Sequence, residues 1–318
     1  MFLDEGCEPL SADNDLADGL PTNESHFTPD RKRRFQRQII EASELHRYLV
    51  DELSDRLGGA RPHVILCCGK CRVGSTPLAN VFGHAGLAAL YQPIKTLLRY
   101  KLVGELCPPW SLATDQPVVF LKETFGPYVA AECAFSPLQV LLDVGFRRQD
   151  ITLVVMERDP LATIESWWRC WQSRIAPDDL MRTFVRASFN VHQLAVVAAD
   201  HGIQVAYYLH EEAREPETAV SRLFDTLGLS NLFDVSILRS WTASDSLRGA
   251  NTAVRFFSQP RDYVIEDIHL ELDEYRFVPC RPGDPLRAPL HEVDAALWEQ
   301  LCRFHQYVRE RSGCLNSS

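Results

Sequence analysis

The sequence predicts an α/β protein with a mostly parallel central sheet flanked by helices. Three observations support this class: apolar runs of strand length, helical periodicities between them, and proline or glycine at many of the junctions. The 318 residues are 46% hydrophobic, which is enough for one large α/β domain or two small ones. Strands that alternate with helices favour a parallel sheet, because the connection between parallel strands is usually a helix.

The elements follow from apolar runs and their periods. Buried strands are predicted at 63–68, 117–122, 151–156 and 203–208. Helices are predicted at 76–90, from 137 onward, and at 160–174, 178–201, 216–227 and 293–311. Several of these helices begin at a proline, whose fixed φ suits the first turn. Residues 240–290 have weak periodicity and many Pro and Arg residues, so they are predicted to be rich in loops.

The chain before the first strand divides into two segments by charge. Residues 1–30 contain eight acidic residues and no Lys or Arg, which predicts a flexible acidic tail. Residues 31–60 predict an N-terminal helix that starts at a basic run and ends at Gly58 and Gly59. The tail carries most of the net charge of −10, so the rest of the chain is nearly neutral. A broad nucleic-acid surface is therefore not expected, and any anion site must be local.

The expected location is the cytoplasm. The chain has no apolar run of about 18 residues for a membrane span, and its first residues lack the basic and apolar parts of a signal peptide. The ten cysteines are scattered, and the CxxC spacing of Cys68 and Cys71 has no second pair. No cluster of His, Asp and Glu has metal-ligand spacing, so no metal ion is expected. Because no apolar run is long enough to span a bilayer, no membrane partner is expected.

The loop Cys71–Thr76 follows the first predicted strand and precedes a helix. At such a junction the backbone N–H groups and the helix dipole both favour a bound phosphate. Gly74 allows close approach, Ser75 and Thr76 offer hydroxyl donors, and Arg72 adds a charged planar fork. The loop therefore predicts a phosphate site.

The loop departs from the pattern GxxxxGK[ST] of P-loop nucleotide hydrolases and kinases. Gly69 and Gly74 have the correct separation, but Ser75 stands where that pattern has its lysine. The missing lysine disfavours a kinase or hydrolase, which remains the alternative enzyme class.

A second strand-to-helix junction carries a more specific pattern. Residues 156–168 contain Arg158-Asp159-Pro160 at a strand end, with Ser166 eight residues after Arg158. This segment resembles the 3′-phosphate-binding segment of sulfotransferases that use 3′-phosphoadenosine 5′-phosphosulfate (PAPS). On a helix, Ser166 lies about two turns beyond Arg158, where it faces the same crevice.

The resemblance extends to the first loop and covers roughly residues 60–260. Residues 72–76 resemble the family's 5′-phosphosulfate loop, (Lys or Arg)-Ser-Gly-(Thr or Ser)-Thr, with Val73 in place of Ser. Residues 209–213 and Leu247-Arg248-Gly249 resemble two further family segments, and the last is the one that touches the 3′-phosphate. The resemblance implies a P-loop-like sulfotransferase fold over residues 61–318, as a single domain, with PAPS as donor and adenosine 3′,5′-bisphosphate (PAP) as product.

The resemblance implies a cofactor site in two parts. The implied cofactor-binding residues are Arg72, Val73, Gly74, Ser75, Thr76, Arg158, Ser166, Arg248 and Gly249.

Sulfuryl transfer needs positive charge on the transferring group and a base for the acceptor. The resemblance implies that Arg72 and Lys122 supply the charge. The family's base positions hold Thr124 and Gln92, neither of which is a base. Glu123 is the favoured candidate for the base, since a desolvated carboxylate accepts a proton well, and His84 is a further candidate.

The expected acceptor is a small molecule, partly apolar or aromatic, that offers a hydroxyl or an amine. Tyr91, Trp110, Trp167 and Trp168 suggest this chemistry, and residues 91–113 and 240–290 are expected to shape the acceptor pocket. The other function left open is a non-catalytic relative that keeps the nucleotide site without the base.

Overall fold

The structure is a computed structural model that describes residues 40–59, 61–112, 115–239, 241, 254–263, 274–279 and 293–313. Every described residue belongs to the compact unit Gln36–Ser318, and the other unit, Met1–Phe35, lies outside the described ranges. The predicted acidic tail and the predicted ligands Arg248 and Gly249 also lie outside the described residues.

A six-stranded sheet, all of it parallel, forms the centre of the described part of the chain. Its strands are β1 His63–Lys70, β2 Ala88–Tyr91, β3 Val118–Phe125, β4 Ile151–Glu157, β5 Gln204–Leu209 and β6 Val254–Phe256. They lie in the order β5-β4-β1-β3-β2-β6. The predicted α/β class with a parallel central sheet is confirmed.

Helices connect and cover the strands. They are α1 Ala42–Leu57, α2 Ser75–His84, α3 Pro93–Val103, α4 Ala130–Ala134, α5 Pro137–Asp143, α6 Pro160–Trp171, α7 Pro177–Asp200, α8 Pro216–Thr226 and α9 Ala295–Arg311. Proline stands in the first turn of α3, α5, α6, α7 and α8, where its missing N–H costs nothing. In the described part of the chain, no helix is long and apolar enough to span a membrane.

Several elements differ from the sequence prediction. The helix predicted to run to about Leu90 ends at His84, and Gly86 turns the chain with a φ of 88° into β2. The helices α3 and α4 were not predicted. The strand β6 lies in a region predicted to consist of loops. Both missed strands are four residues or fewer, so their pairing in the sheet identifies them and their periodicity does not.

The core forms because the sheet is covered on both faces. All of β4 is buried, as is β1 apart from His63. On one face, Phe82 of α2 stacks on Phe120 and Phe224 at ring-centroid distances of 4.1 and 4.8 Å. On α6, Trp167 packs against Phe184 of α7 at 5.3 Å.

This topology positions the candidate site. The strands β1 and β4 are adjacent and parallel, so the loop after β1 and the segment after β4 emerge at the same edge of the sheet. The strands β2 and β3 lie on one side of β1, and the next strands, β4 and β5, lie on its other side. The ends of β1 and β4 therefore form a topological switch point, where open α/β sheets bind ligands.

Candidate functional site

The loop between β1 and α2 has an unusual backbone. Arg72 and Gly74 both have left-handed conformations, with φ of 73° and 79°. The Cys71 N–H donates to the Phe125 carbonyl at 3.1 Å, and the Val73 side chain is completely buried. A left-handed arginine persists only where its surroundings hold it. The loop is therefore anchored on both sides of Arg72.

Gly74 is the N-cap of α2, and it contributes no side-chain hydrogen bond there. A Cβ atom at Gly74 would clash with Nδ1 of His210, so this position requires glycine for space as well as for its φ. The N-terminus of α2 and its dipole therefore face the loop without a capping side chain, as an anion site requires.

His210 adjoins the loop, although no motif in the sequence predicted a role for it. It follows β5 directly, is buried, and its ring lies 5.1 Å from that of Phe277. Burial lowers the pKa of His210 to about 3, and the nearby charges of Arg158 and Arg72 add to this effect. The imidazole is therefore neutral near pH 7. Its position immediately after a strand, at the same edge as the loop, is the signal that could have identified it.

The structure brings Arg72, Arg158 and Ser166 together. Nε of Arg72 donates to Oγ of Ser166 at 3.0 Å, and Nη1 of Arg158 donates to the carbonyl of Arg72 at 3.0 Å. Arg158 and Ser166 are more than nine-tenths buried. Residues from the loop after β1 and from the segment after β4 thus form one polar cluster.

Buried contacts at the ends of β1 and β4 support this cluster. Lys70, at the end of β1, forms an ion pair with Glu157, at the end of β4. Oε1 of Glu157 also accepts a hydrogen bond from the Arg158 N–H at 2.9 Å. Asp159 caps α6 by accepting from the Ala162 N–H at 2.8 Å, which fixes the direction of the helix that carries Ser166.

Trp167 supports the loop. It is completely buried, and its Nε1 donates to the Cys71 carbonyl at 2.7 Å. The sequence suggested that Trp167 contributes to the acceptor pocket, but its ring holds the loop against α6.

Lys122 lies within β3, which continues to Phe125 beyond the predicted strand end. Its Nζ lies 3.9 Å from the centre of the Tyr91 ring, and the Tyr91 hydroxyl is hydrogen bonded to Thr76 of the loop. Burial lowers the pKa of Lys122 to about 7. A buried amine that changes its charge near neutral pH thus adjoins the loop.

Glu123 points to the N-terminus of α3. Its Oε1 accepts from the Ile94 N–H at 2.7 Å and its Oε2 from the Lys95 N–H at 3.3 Å. Burial raises its pKa to about 7, although these two N–H groups act in the opposite direction. The carboxylate therefore has a structural task, and it would have to give up these contacts to act as a base.

The other candidate positions for a base also have partners. Nε2 of Gln92 donates to Oγ1 of Thr124, and Sγ of Cys71 lies 3.4 Å from the same oxygen. The His84 ring stacks on Trp241 at 5.6 Å. These residues form packing contacts and hydrogen bonds between elements of the fold.

Aromatic side chains from two segments that are distant in sequence meet at the C-terminal ends of β2 and β6. Tyr91 stacks on Phe256 at 4.6 Å, and Trp110 lies 4.7 Å from Phe257. The segments 91–112 and 254–263, which overlap the predicted acceptor region, are therefore neighbours. Trp168 is partly exposed on α6.

Within the described ranges, no three His, Cys, Asp or Glu side chains are grouped as a metal ion would require. Comparison with known proteins found no matching family, no matching curated protein and no matching solved structure.

Proposed function

We propose that this protein is a cytoplasmic sulfotransferase that moves a sulfuryl group from PAPS to a hydroxyl, or an amine, of a small-molecule acceptor. The observation that carries the proposal is the pair of hydrogen bonds that joins Arg72 to Ser166 and Arg158 to the Arg72 carbonyl. These bonds unite the two segments that resemble the family's two phosphate-binding segments.

Cationic side chains on both sides of the loop favour a ligand with two anionic ends. Arg158 and Arg72 lie on one side of the loop, and Lys122 lies on the other, beside the Tyr91 that is bonded to Thr76. The donor has a 3′-phosphate and a 5′-phosphosulfate, so each end would meet a cation and N–H or hydroxyl donors. The nearly neutral composition of the chain outside residues 1–30 agrees with recognition by this local site.

The proposed reaction is an in-line displacement at sulfur. The acceptor oxygen or nitrogen forms a bond to sulfur while the bond from sulfur to the bridging oxygen of the 5′-phosphate breaks. PAP leaves with that oxygen, and the acceptor proton passes to a base. Lys122 and the N-terminus of α2 would stabilise the charge that develops on the leaving oxygen and the sulfonate. The aromatic side chains of 91–112 and 254–263 would contact a partly apolar acceptor.

Glu123 stays the candidate for the base, and its contacts favour a second candidate function. Both of its oxygens accept N–H groups of α3, and Thr124 and Gln92 are bonded to each other. A non-catalytic protein that binds the nucleotide would have the same arrangement.

Nucleotide binding and turnover separate the two functions. We expect PAP to stabilise the protein without Mg²⁺, and Arg158→Ala to weaken that binding. Incubation with labelled PAPS and a set of phenolic, alcoholic and amine acceptors then tests for transfer. In the enzyme, Glu123→Gln should lower turnover and leave PAP affinity unchanged. PAP binding with no transfer to any acceptor would favour the non-catalytic function, and stabilisation by ATP with Mg²⁺ alone would reject both.

A further inference from the structure

Three side chains form a row across the sheet near the C-terminal ends of β2 and β6. Tyr91 is the last residue of β2, and the strand register pairs it with Lys122 of β3 on one side and with Phe256 of β6 on the other. Residues that are paired in register point to the same face of a sheet, so the Tyr91 ring lies between the other two side chains. Phe256 stacks on this ring at 4.6 Å, and Nζ of Lys122 lies 3.9 Å from its centre.

The ring of Tyr91 stabilises the Lys122 ammonium in a buried place. Lys122 is more than nine-tenths buried, and among the described residues no oxygen accepts a hydrogen bond from its Nζ. The face of an aromatic ring attracts an ammonium group, and the attraction is stronger where water is excluded. We infer that Tyr91 is a positioning residue, which holds the Lys122 ammonium beside the loop so that this charge meets the 5′ end of the donor. This inference rests on the proposed function.

Tyr91 is itself held in place at two points. Its hydroxyl group is bonded to Thr76, which lies in the first turn of α2, and Phe256 stacks on its ring. The backbone next to it is fixed as well, because the Gln92 N–H donates to the Lys122 carbonyl at 2.7 Å. A ring that is held in this way defines where the ammonium lies relative to the start of α2.

Two effects oppose each other at Lys122. Burial lowers its pKa to about 7, whereas the ring favours the ammonium form. Loss of the ring should therefore lower the pKa of Lys122 further. The other ionisable groups that act on Lys122 or Tyr91 stay the same when Tyr91 is replaced, and they are Cys71, Lys95, Glu123, Cys67, Arg99 and Arg72.

The test separates the ring of Tyr91 from its hydroxyl group. Tyr91→Phe keeps the ring and Tyr91→Leu removes it, while Tyr91→Met supplies a flexible apolar chain and decides the question if the leucine variant fails to fold. Tyr48→Leu is the matched control, because Tyr48 of α1 forms a similar contact, at 5.0 Å, with Lys101 near the C-terminal end of α3. NMR of labelled lysine follows the titration of Lys122 without a nucleotide, and Lys122→Met identifies its signal. Calorimetry measures PAP affinity.

We expect the pKa of Lys122 to be lower than in the wild type by about 0.5 to 1 in Tyr91→Leu and Tyr91→Met. It should stay within about 0.2 of the wild-type value in Tyr91→Phe and Tyr48→Leu, which keep the ring of Tyr91. At pH 7 the smaller ammonium fraction should weaken PAP binding about 2- to 5-fold in the two variants without the ring.

A second background distinguishes positioning from a general structural effect. In Lys122→Met, the further change Tyr91→Leu should alter PAP affinity by less than about 2-fold, because the ring acts through the ammonium. An unchanged pKa of Lys122 in Tyr91→Leu and Tyr91→Met, or an equal loss of affinity in both backgrounds, would overturn the inference. A wild type that binds no PAP would instead reject the proposed function, and the NMR titration would still show whether Tyr91 holds the ammonium.

Discussion

Gly74 and His210 show how one contact between distant residues shapes the loop. A Cβ at Gly74 would meet Nδ1 of His210, and the φ of 79° already disfavours any other residue. Gly86 is a matched control, since its φ is 88° and a Cβ there would meet nothing within 4 Å. Alanine substitutions at the two glycines therefore separate the effect of the contact with His210 from the effect of backbone strain.

We predict that Gly74→Ala abolishes measurable PAP binding and costs more stability than Gly86→Ala. The control should cost about 1–3 kcal/mol from backbone strain alone. Urea unfolding and a PAP titration measure the two effects. If both variants lose the same stability and both keep PAP binding, the contact with His210 does not shape the site.

Lys122 should make nucleotide binding depend on pH. Its pKa of about 7 means that the free protein carries an ammonium group below pH 7 and a neutral amine above it. A bound anion favours the ammonium form, so binding takes up a proton when it occurs above pH 7. The second phosphate pKa is about 6, so the ligand itself changes little in this range.

We therefore predict that PAP affinity falls as pH rises from 7 to 9, by up to about 10-fold per unit. Lys122→Arg keeps its charge throughout this range, so its affinity should stay nearly constant. Calorimetric titrations at pH 7, 8 and 9 give both curves. A wild-type slope that persists unchanged in Lys122→Arg would show that another group takes up the proton.

Single residues were predictable from the sequence where a local pattern identified them. The spacing of Arg158 and Ser166 and the position of Gly74 are such patterns, and the structure brings these residues together around the loop. His210 reaches the loop from the end of β5, about 135 residues later, so no short-range pattern contained its role. The same limit applies to Glu123, whose contacts depend on where α3 begins.

At the scale of elements, Glu123 connects β3 to the start of α3. Its two oxygens accept two N–H groups that have no partner within the helix. Asp294 is a comparable but exposed cap at the start of α9, where it accepts from the N–H groups of Ala296 and Leu297 at 2.9 and 3.1 Å. The two caps differ mainly in burial.

We predict that Glu123→Ala lowers the free energy of unfolding by about 2–4 kcal/mol, because it leaves two buried N–H groups unsatisfied. Asp294→Ala should cost about 1 kcal/mol, since water can replace an exposed cap. Urea unfolding at pH 7 compares them. Equal costs would contradict the structural role of Glu123.

The carboxyl group of Glu123 should also make the free energy of unfolding depend on pH. The pKa of Glu123 is raised from 4.5 to about 7, so the folded state binds more protons than the unfolded state between these values. Its contribution to stability is therefore complete below about pH 4.5 and is lost as pH rises to 7. Glu123→Gln should remove this part of the pH dependence of unfolding. An unchanged difference in stability between wild type and variant from pH 4.5 to 7 would contradict it.

The elements themselves were predictable where they are long or begin with proline. The strands β1, β3, β4 and β5 correspond to the predicted apolar runs, and α6, α7 and α8 begin within a residue of their predicted starts. The strands β2 and β6 were missed because pairing along the sheet selects them, and β2 follows a turn at Gly86 that the helical pattern concealed. The helix α3 depends in the same way on Glu123 from a neighbouring strand.

At the scale of the whole molecule, the parallel sheet explains why separated segments form one site. Adjacent parallel strands end at the same edge of the sheet. Arg72 after β1, Arg158 after β4 and His210 after β5 therefore lie close together. The sequence order of strands and helices predicted this common edge. It did not predict that Arg72 turns toward Ser166, because that depends on the left-handed backbone at Arg72.

The most direct test of the proposed nucleotide site is a calorimetric titration of the whole protein with PAP in the presence of EDTA, with Arg158→Ala measured in parallel. We expect one site per chain, saturable without a divalent cation, and a loss of at least about 10-fold in affinity in the variant. ATP with Mg²⁺ should bind more weakly than PAP. Tight binding of ATP with Mg²⁺ and no binding of PAP would contradict the proposed function.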